Sequence, residues 1–228
     1  NPLYEYGNSY EPKYLMADEY LSGNVREKLA TAKRSAALYP EDYTVNVEAL
    51  ERVQPKDLTA SEIAVRLGAT WLPTEIVEQF MFEFLGTPRY AQWNIKVHFS
   101  AYTGEWNIEG KSYDRSNVKA YSTYGTGRIN AYKIIEETLN LKDVRIFDYV
   151  EDADGKKKAI LNKKETAIAQ AKQELIKQGF QDWVWSDPER RERLCRLYND
   201  KFNSLRPREY DGSHIVFSGM NPEIELRE

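Results

Sequence analysis

Cysteine is nearly missing from this chain: Cys195 is the single thiol in 228 residues, so there is no internal disulfide and no cysteine-based zinc site. The two histidines, His98 and His214, stand far apart, which removes the usual nitrogen ligand set as well. No apolar run approaches the roughly 20 residues that a membrane-spanning helix needs, and no signal peptide is visible. These absences point to a reducing, cytoplasmic setting without a membrane partner. Positive charge is not in excess either. With a net charge of −4 and a pI near 5.5, the chain as a whole does not attract nucleic acid, and any such contact has to come from a local patch.

What is present is the composition of a folded protein. Hydrophobic residues make up 41% and charged residues 30%, which separates the chain from disordered sequences. The length suits one large or two small domains. Aromatic residues reach 13%, with 16 tyrosines and 5 tryptophans. Such residues build cores first and stack on bases second.

Residues 1–13, with Pro2, Gly7, Asn8 and Pro12, read as a tail or linker. A mainly helical part is expected over 14–92. Val25, Leu29, Ala32 and Ala36 recur at helical spacing until Tyr39 and Pro40. A second helix is expected from Thr44 to Val53. Thr59 or Ser61 would cap a short one through Leu67, closed by Gly68. Pro73, Thr74 and Glu75 open a strong helix that Gly86 and Pro88 stop. From Trp93 the pattern changes, and 93–219 reads as an α+β part. Asn94–Phe99 and Glu105–Ile108 flank Thr103-Gly104 as a hairpin. A helix follows over Arg128–Leu139. Val144–Val150 and Lys157–Leu161 make a second hairpin across Asp152–Gly155, two helices cover Lys163–Gln178 and Pro188–Asn203, and a strand is expected at His214–Phe217. The expected class is α+β, with a helical N-terminal part followed by an antiparallel sheet of short hairpins and packed helices.

Each candidate site has a plain structural alternative. Glu62–Gly68 followed by a helix has the pattern of a helix-turn-helix. The connection to Thr74 is too long, however, and the recognition helix would carry Glu75, Glu78 and Glu83 toward phosphate. Gly125, Thr126, Gly127 and Arg128 precede a helix and could cradle an anion on backbone amides, or form a glycine-punctuated turn with a solvent-facing arginine. Arg190, Arg191, Arg193 and Arg196 lie on an amphipathic helix whose buried stripe is Leu194, Leu197, Tyr198 and Phe202, and Arg206 and Arg208 follow it. They form the densest basic stretch, readable as a DNA-backbone patch or as a salt-bridged surface diluted by Glu189, Glu192 and Asp200. Trp183 and Trp185, two apart, would share one side of an extended segment and stack on bases, or would pin helices together. Asp152 and Asp154 with Gly155 resemble the opening of a calcium loop, but lysines follow where further oxygen ligands are needed.

No catalytic constellation is visible. There is no serine or cysteine nucleophile with a base, no methyltransferase cofactor loop, no Walker A loop and no metal or cofactor motif. The expected fragment is therefore non-catalytic.

A wider pattern runs from Ala17 to the end. It includes Ala17–Leu29, Asn46–Glu51, Val65–Pro73, Tyr124–Thr126 with Arg128, Leu161 and Asn162 with Glu165 and Thr166, Trp183–Pro188, Tyr198 and Asn199 with Phe202 and Asn203, and Tyr210 to Pro222. This pattern resembles the region upstream of the SNF2-type helicase motor in large methylase–helicase proteins of phages and conjugative elements. The resemblance implies a domain between an adenine-specific DNA methylase part and a superfamily II motor. DNA and those neighbouring domains would be its partners, and 220–228 would start a linker to the motor. It assigns no chemical role to any single residue. The two functional expectations are a DNA-binding or DNA-positioning domain and a scaffold that docks methylase and motor modules without touching DNA.

Overall fold

The computed structural model describes residues 3–6, 13–151 and 157–210. In chain order the elements are β1 (Leu3–Tyr6), β2 (Lys13–Met16), α1 (Ala17–Tyr20), β3 (Gly23–Asn24), α2 (Val25–Leu38), α3 (Pro40–Arg52), α4 (Thr74–Leu85), α5 (Arg89–Gln92), β4 (Lys96–Ser100), β5 (Glu105–Glu109), a π-helical turn at Lys119–Thr123, α6 (Ala131–Leu139), β6 (Phe147–Glu151), β7 (Lys157–Leu161), α7 (Lys163–Val184), α8 (Pro188–Phe202) and β8 (Leu205–Arg206). The class is α+β. Among the described residues the strands pair two by two, β1 with β2, β3 with β8, β4 with β5 and β6 with β7, all antiparallel, rather than joining in one sheet. The strand expected at His214–Phe217, the linker at 220–228 and the turn Asp152–Gly155 lie outside the described residues.

The chain divides into two compact units, one of residues 1–57 with 199–228 and one of Leu58–Tyr198. This grouping differs from the helical and α+β parts read from sequence, because α4 packs on β4 in a single core.

In the first unit, α2 and α3 lie against each other. Asn24 caps α2 by accepting from the Glu27 amide. Residues 3–6 are not a tail: β1 pairs with β2, and Tyr4 is buried with its ring stacked on Tyr20 at 4.8 Å. Aromatic burial is what fixes this short segment, a signal that its flanking glycine and prolines concealed. Arg26 ties α2 to the returning chain through Asn203 O at 2.8 Å, Pro55 O at 3.2 Å and the Asp57 carboxylate at 2.5 Å. Lys28 donates to the carbonyls of Glu19, Tyr20 and Ser22, closing the end of α1.

In the second unit the core gathers Ile76, Val77, Phe80 and Met81 of α4, Val97, Trp106 and Ile108 of the first hairpin, Ile134 and Ile135 of α6, and Ile176 and Phe180 of α7. Gly86 ends α4 in the left-handed region at φ 63°, with Thr87 N donating back to Phe82 O. The short helix expected before Gly68 is absent. Thr59–Ile63 makes a single turn, after which burial alternates: Ile63, Val65 and Leu67 are inside, Ala64 and Arg66 outside. That period of two belongs to extended chain, and it removes the first helix of the helix-turn-helix reading. Gly68, at φ 94°, lies so close to α6 that a Cβ would sit 2.4 Å from Leu139 O.

Buried polar groups fasten the hairpins to the helices. Glu136 on α6 accepts from Ile108 N at 2.8 Å and from both Lys111 and Lys133. Burial would raise its pKa, but the Ile108 amide and the two lysines outweigh that and hold the carboxyl below the ordinary range. Gln173 on α7 joins Val144 N, Thr138 Oγ1 and Lys142 O, and Thr166 accepts from Ile146 N, so α7 sets the approach to β6.

Candidate nucleic-acid interface

The glycine loop before α6 spends its donors internally. Thr126 N donates to Ile129 O at 2.8 Å, and Thr126 Oγ1 accepts from Arg128 N and Ile129 N, both at 3.2 Å. Gly125 is required by packing, since a Cβ there would stand 2.2 Å from Ala120 O. Gly127 faces open space. The helix starts three residues after Arg128, capped by Asn130, which accepts from Lys133 N at 2.9 Å. The geometry is that of a closed turn and does not form the anion cradle considered from sequence. Arg128 turns instead to the second hairpin, donating to Phe147 O at 2.9 Å and meeting the Asp148 carboxylate at 2.8 Å. The Asn162 amide and then Arg128 hold the Asp148 carboxyl below its ordinary range.

Arg190 is not a surface charge. It is buried and donates to Val184 O at 3.2 Å, Trp183 O at 2.7 Å and Ser186 Oγ at 3.1 Å, with its guanidinium 3.5 Å from the Trp183 ring centroid. Two carbonyls at the end of α7 and the Ser186 hydroxyl just beyond it are thereby tied to one side chain. Burial pulls its pKa down. Trp183 and Trp185 do not share a side of an extended segment, because α7 continues to Val184. Trp183 packs against Phe80 at 5.4 Å and donates to Glu83 Oε2 at 2.6 Å, so its ring is spent on joining α7 to α4. Trp185 packs on the same core.

The remaining arginines divide between the units. Arg191 lies 3.4 Å from Trp185 O, and Arg191, Arg193 and Arg196 are exposed on α8 in the second unit. Arg206 and Arg208 belong to the first unit. Arg206 donates to Leu21 O at 3.1 Å and pairs with Glu209 at 2.9 Å. Arg208 makes two contacts with the Asp18 carboxylate, at 2.8 and 2.6 Å. Of this stretch Arg190 is buried and Arg206 and Arg208 are engaged by Leu21 O, Glu209 and Asp18, which leaves Arg191, Arg193 and Arg196 as its exposed members on α8.

The structure gathers a different set. Burial alternates from Val144 to Phe147, with Val144 and Ile146 inside, so Arg145, Phe147 and Tyr149 follow one another at steps of two along one side of the strand. The register places Leu161 opposite Phe147, Ala159 opposite Tyr149 and Lys157 opposite Glu151 on this same face. Tyr149 is 72% exposed and Phe147 39%. Lys157, Lys158, Lys163, Lys164 and Arg145 are all exposed, and among the described residues none of them makes an ion pair. A groove of about 590 Å³ continues from Phe147 past Arg145, Lys142 and Lys133, with Asp143 and the Lys133-paired Glu137 also on its wall. The signal for this site was present in the alternation of Val144–Phe147 and in the lysine pairs that open β7 and α7. It was outweighed in the sequence by the denser arginines of α8.

Among the described residues, no group of three or more His, Cys, Asp or Glu side chains is placed to hold a metal ion, and no helix is long and apolar enough to cross a membrane.

A match to a protein family described as "Domain of unknown function (DUF8437)" covers residues 66–204. The chain belongs to the DUF8437 family. The family's span takes in α4 through α8, and with them the second hairpin and its cationic strip. No curated protein and no solved structure matches the chain.

Proposed function

We propose that this chain is a non-catalytic DNA-binding and DNA-positioning module that contacts the phosphate backbone with little sequence selectivity through its second hairpin. The observation that carries this reading is the set of exposed cations on and beside the second hairpin, none ion-paired among the described residues: Arg145 and Lys157 along the Phe147–Tyr149 face, Lys158 on the opposite face, and Lys163 and Lys164 at the start of α7. Unpaired surface cations release counterions when they meet phosphate, which gives a local basic patch its affinity even on an acidic chain. In the setting implied by the sequence resemblance, a cytoplasmic protein with a methylase part and a superfamily II motor, such a module would hold DNA for its neighbours.

Fluorescence anisotropy of the chain with labelled DNA across a salt series tests the reading. Binding should weaken steeply with salt, and the log–log slope should fall by about one for each phosphate-contacting lysine that is reversed. Lys157→Glu with Lys158→Glu should lower affinity without altering the circular dichroism spectrum. Absence of binding at low salt would overturn it.

A second reading, a scaffold docking neighbouring domains, draws on the opposite face of the same hairpin. There Val150 and Ile160 are about half exposed, at 50% and 49%, as apolar groups awaiting a protein surface would be.

A further inference from the structure

We infer that the Phe147–Tyr149 face of the second hairpin is a stacking platform for single-stranded nucleic acid. The inference rests on the DNA-contact reading and adds the form of substrate. Three features on one face carry it. Phe147 and Tyr149 stand two residues apart on β6, about 6.6 Å along the strand, so each can present a ring to one of two neighbouring bases. The residue opposite Tyr149 is Ala159, whose methyl group leaves that ring uncovered, which agrees with its exposure of 72%. Cations bracket the rings at both ends of the face: Arg145 and Lys142 along the groove on one side, Lys157 on the other, while Lys133 on the groove wall is already paired with Glu136 and Glu137. Glu151, opposite Lys157, is the acidic residue within the face, and Asp143 and Glu137 lie on the groove wall.

This interleaving of aromatic rings and cations suits splayed bases with a tracked backbone. A duplex keeps its bases stacked on one another and offers the rings nothing to stack on. Arg128 supports the platform from behind, since its bonds to Phe147 O and Asp148 fix the start of β6 on the opposite side.

The experiment compares Tyr149→Ala, Tyr149→Trp and the Lys157→Glu, Lys158→Glu double variant. The probes are a fluorescein-labelled oligothymidylate of about 12 nucleotides, within the usual site sizes, its RNA counterpart, and a duplex of the same length. Tyr149 is exposed, so its replacement leaves the fold intact. Tyr149→Ala should weaken single-strand binding about ten-fold with an unchanged salt slope, Tyr149→Trp should restore it, and duplex binding should not move. Preference between the DNA and RNA strands identifies the natural one. If Tyr149→Ala leaves single-strand affinity unchanged, or weakens single strand and duplex alike, the platform is overturned. The phosphate-contact reading is judged separately, by the lysine variant: a loss there with no effect of Tyr149→Ala keeps that reading and removes this one.

Discussion

Arg128 bonds the Phe147 carbonyl at 2.9 Å and the Asp148 carboxylate at 2.8 Å, so one side chain from the loop before α6 holds the first two residues of β6. A two-stranded hairpin is only marginally stable by itself. This clamp, together with the Asn162 bond to Asp148, is what gives β6 and β7 a fixed place.

The clamp makes the hairpin sensitive to acid. The Asp148 carboxyl is held below its ordinary value of 3.8, first by Asn162 and then by Arg128. Its contribution to stability is therefore fully present above that ordinary value and is lost as pH falls through the lower folded value. Hydrogen exchange of the β6–β7 amides should accelerate in this acidic window. Asp148→Asn should open the hairpin at neutral pH and flatten the dependence.

Replacing Arg190 should destabilise the second unit and should not act selectively on DNA affinity. Arg190→Ala removes the guanidinium bonds to Val184 O, Trp183 O and Ser186 Oγ, of which Trp183 O keeps its Ser186 donors, and strips the cation from the Trp183 ring. A loss of about 2 to 4 kcal/mol is expected in urea unfolding, and lysine should restore little of it because it cannot fork.

The two glycines before Arg128 should respond in opposite ways. Gly125→Ala drives a methyl group into Ala120 O and the Ala131 amide, and should cost about 2 kcal/mol or more. Gly127→Ala meets nothing within 4 Å and should be neutral or slightly stabilising. An anion cradle would have made both indispensable. Thermal unfolding of the two variants separates the cases.

Glu136→Ala should loosen the first hairpin. It withdraws the acceptor of the buried Ile108 amide and the carboxylate shared by Lys111 and Lys133, which keep only Ile108 O and Glu137 respectively. A loss of about 2 to 3 kcal/mol is expected, with the fastest hydrogen exchange at Ile108.

Much of the fold was legible because its signals are local. The helical spacing of Val25 and Ala32, the stop at Tyr39 and Pro40, the Thr74 start and Gly86 end of α4, and both hairpins follow from periodicity and turn chemistry. The failures were of another kind. Thr59–Leu67 carries helix-forming residues, yet Ile63, Val65 and Leu67 are drawn alternately into the core as extended chain. Residues 3–6 were hidden among turn formers and are secured by one ring stacked on Tyr20. Trp183 depended on where α7 ends, and element ends are the least local of these features.

The sequence by itself determined the α+β class, the order of the principal helices and hairpins, and the rule that any phosphate contact must be local. Those follow from spacing, caps and net charge, which are properties of neighbouring residues. Only the tertiary structure decided which cations are spent. Arg128, Arg190, Arg206 and Arg208 look alike in sequence to Arg145 and Lys157, but the first four meet carboxylates or carbonyls brought in by the fold, and the latter two do not. A charge is available to a partner only when folding has not already desolvated and paired it, and pairing across the chain leaves no mark on the local sequence.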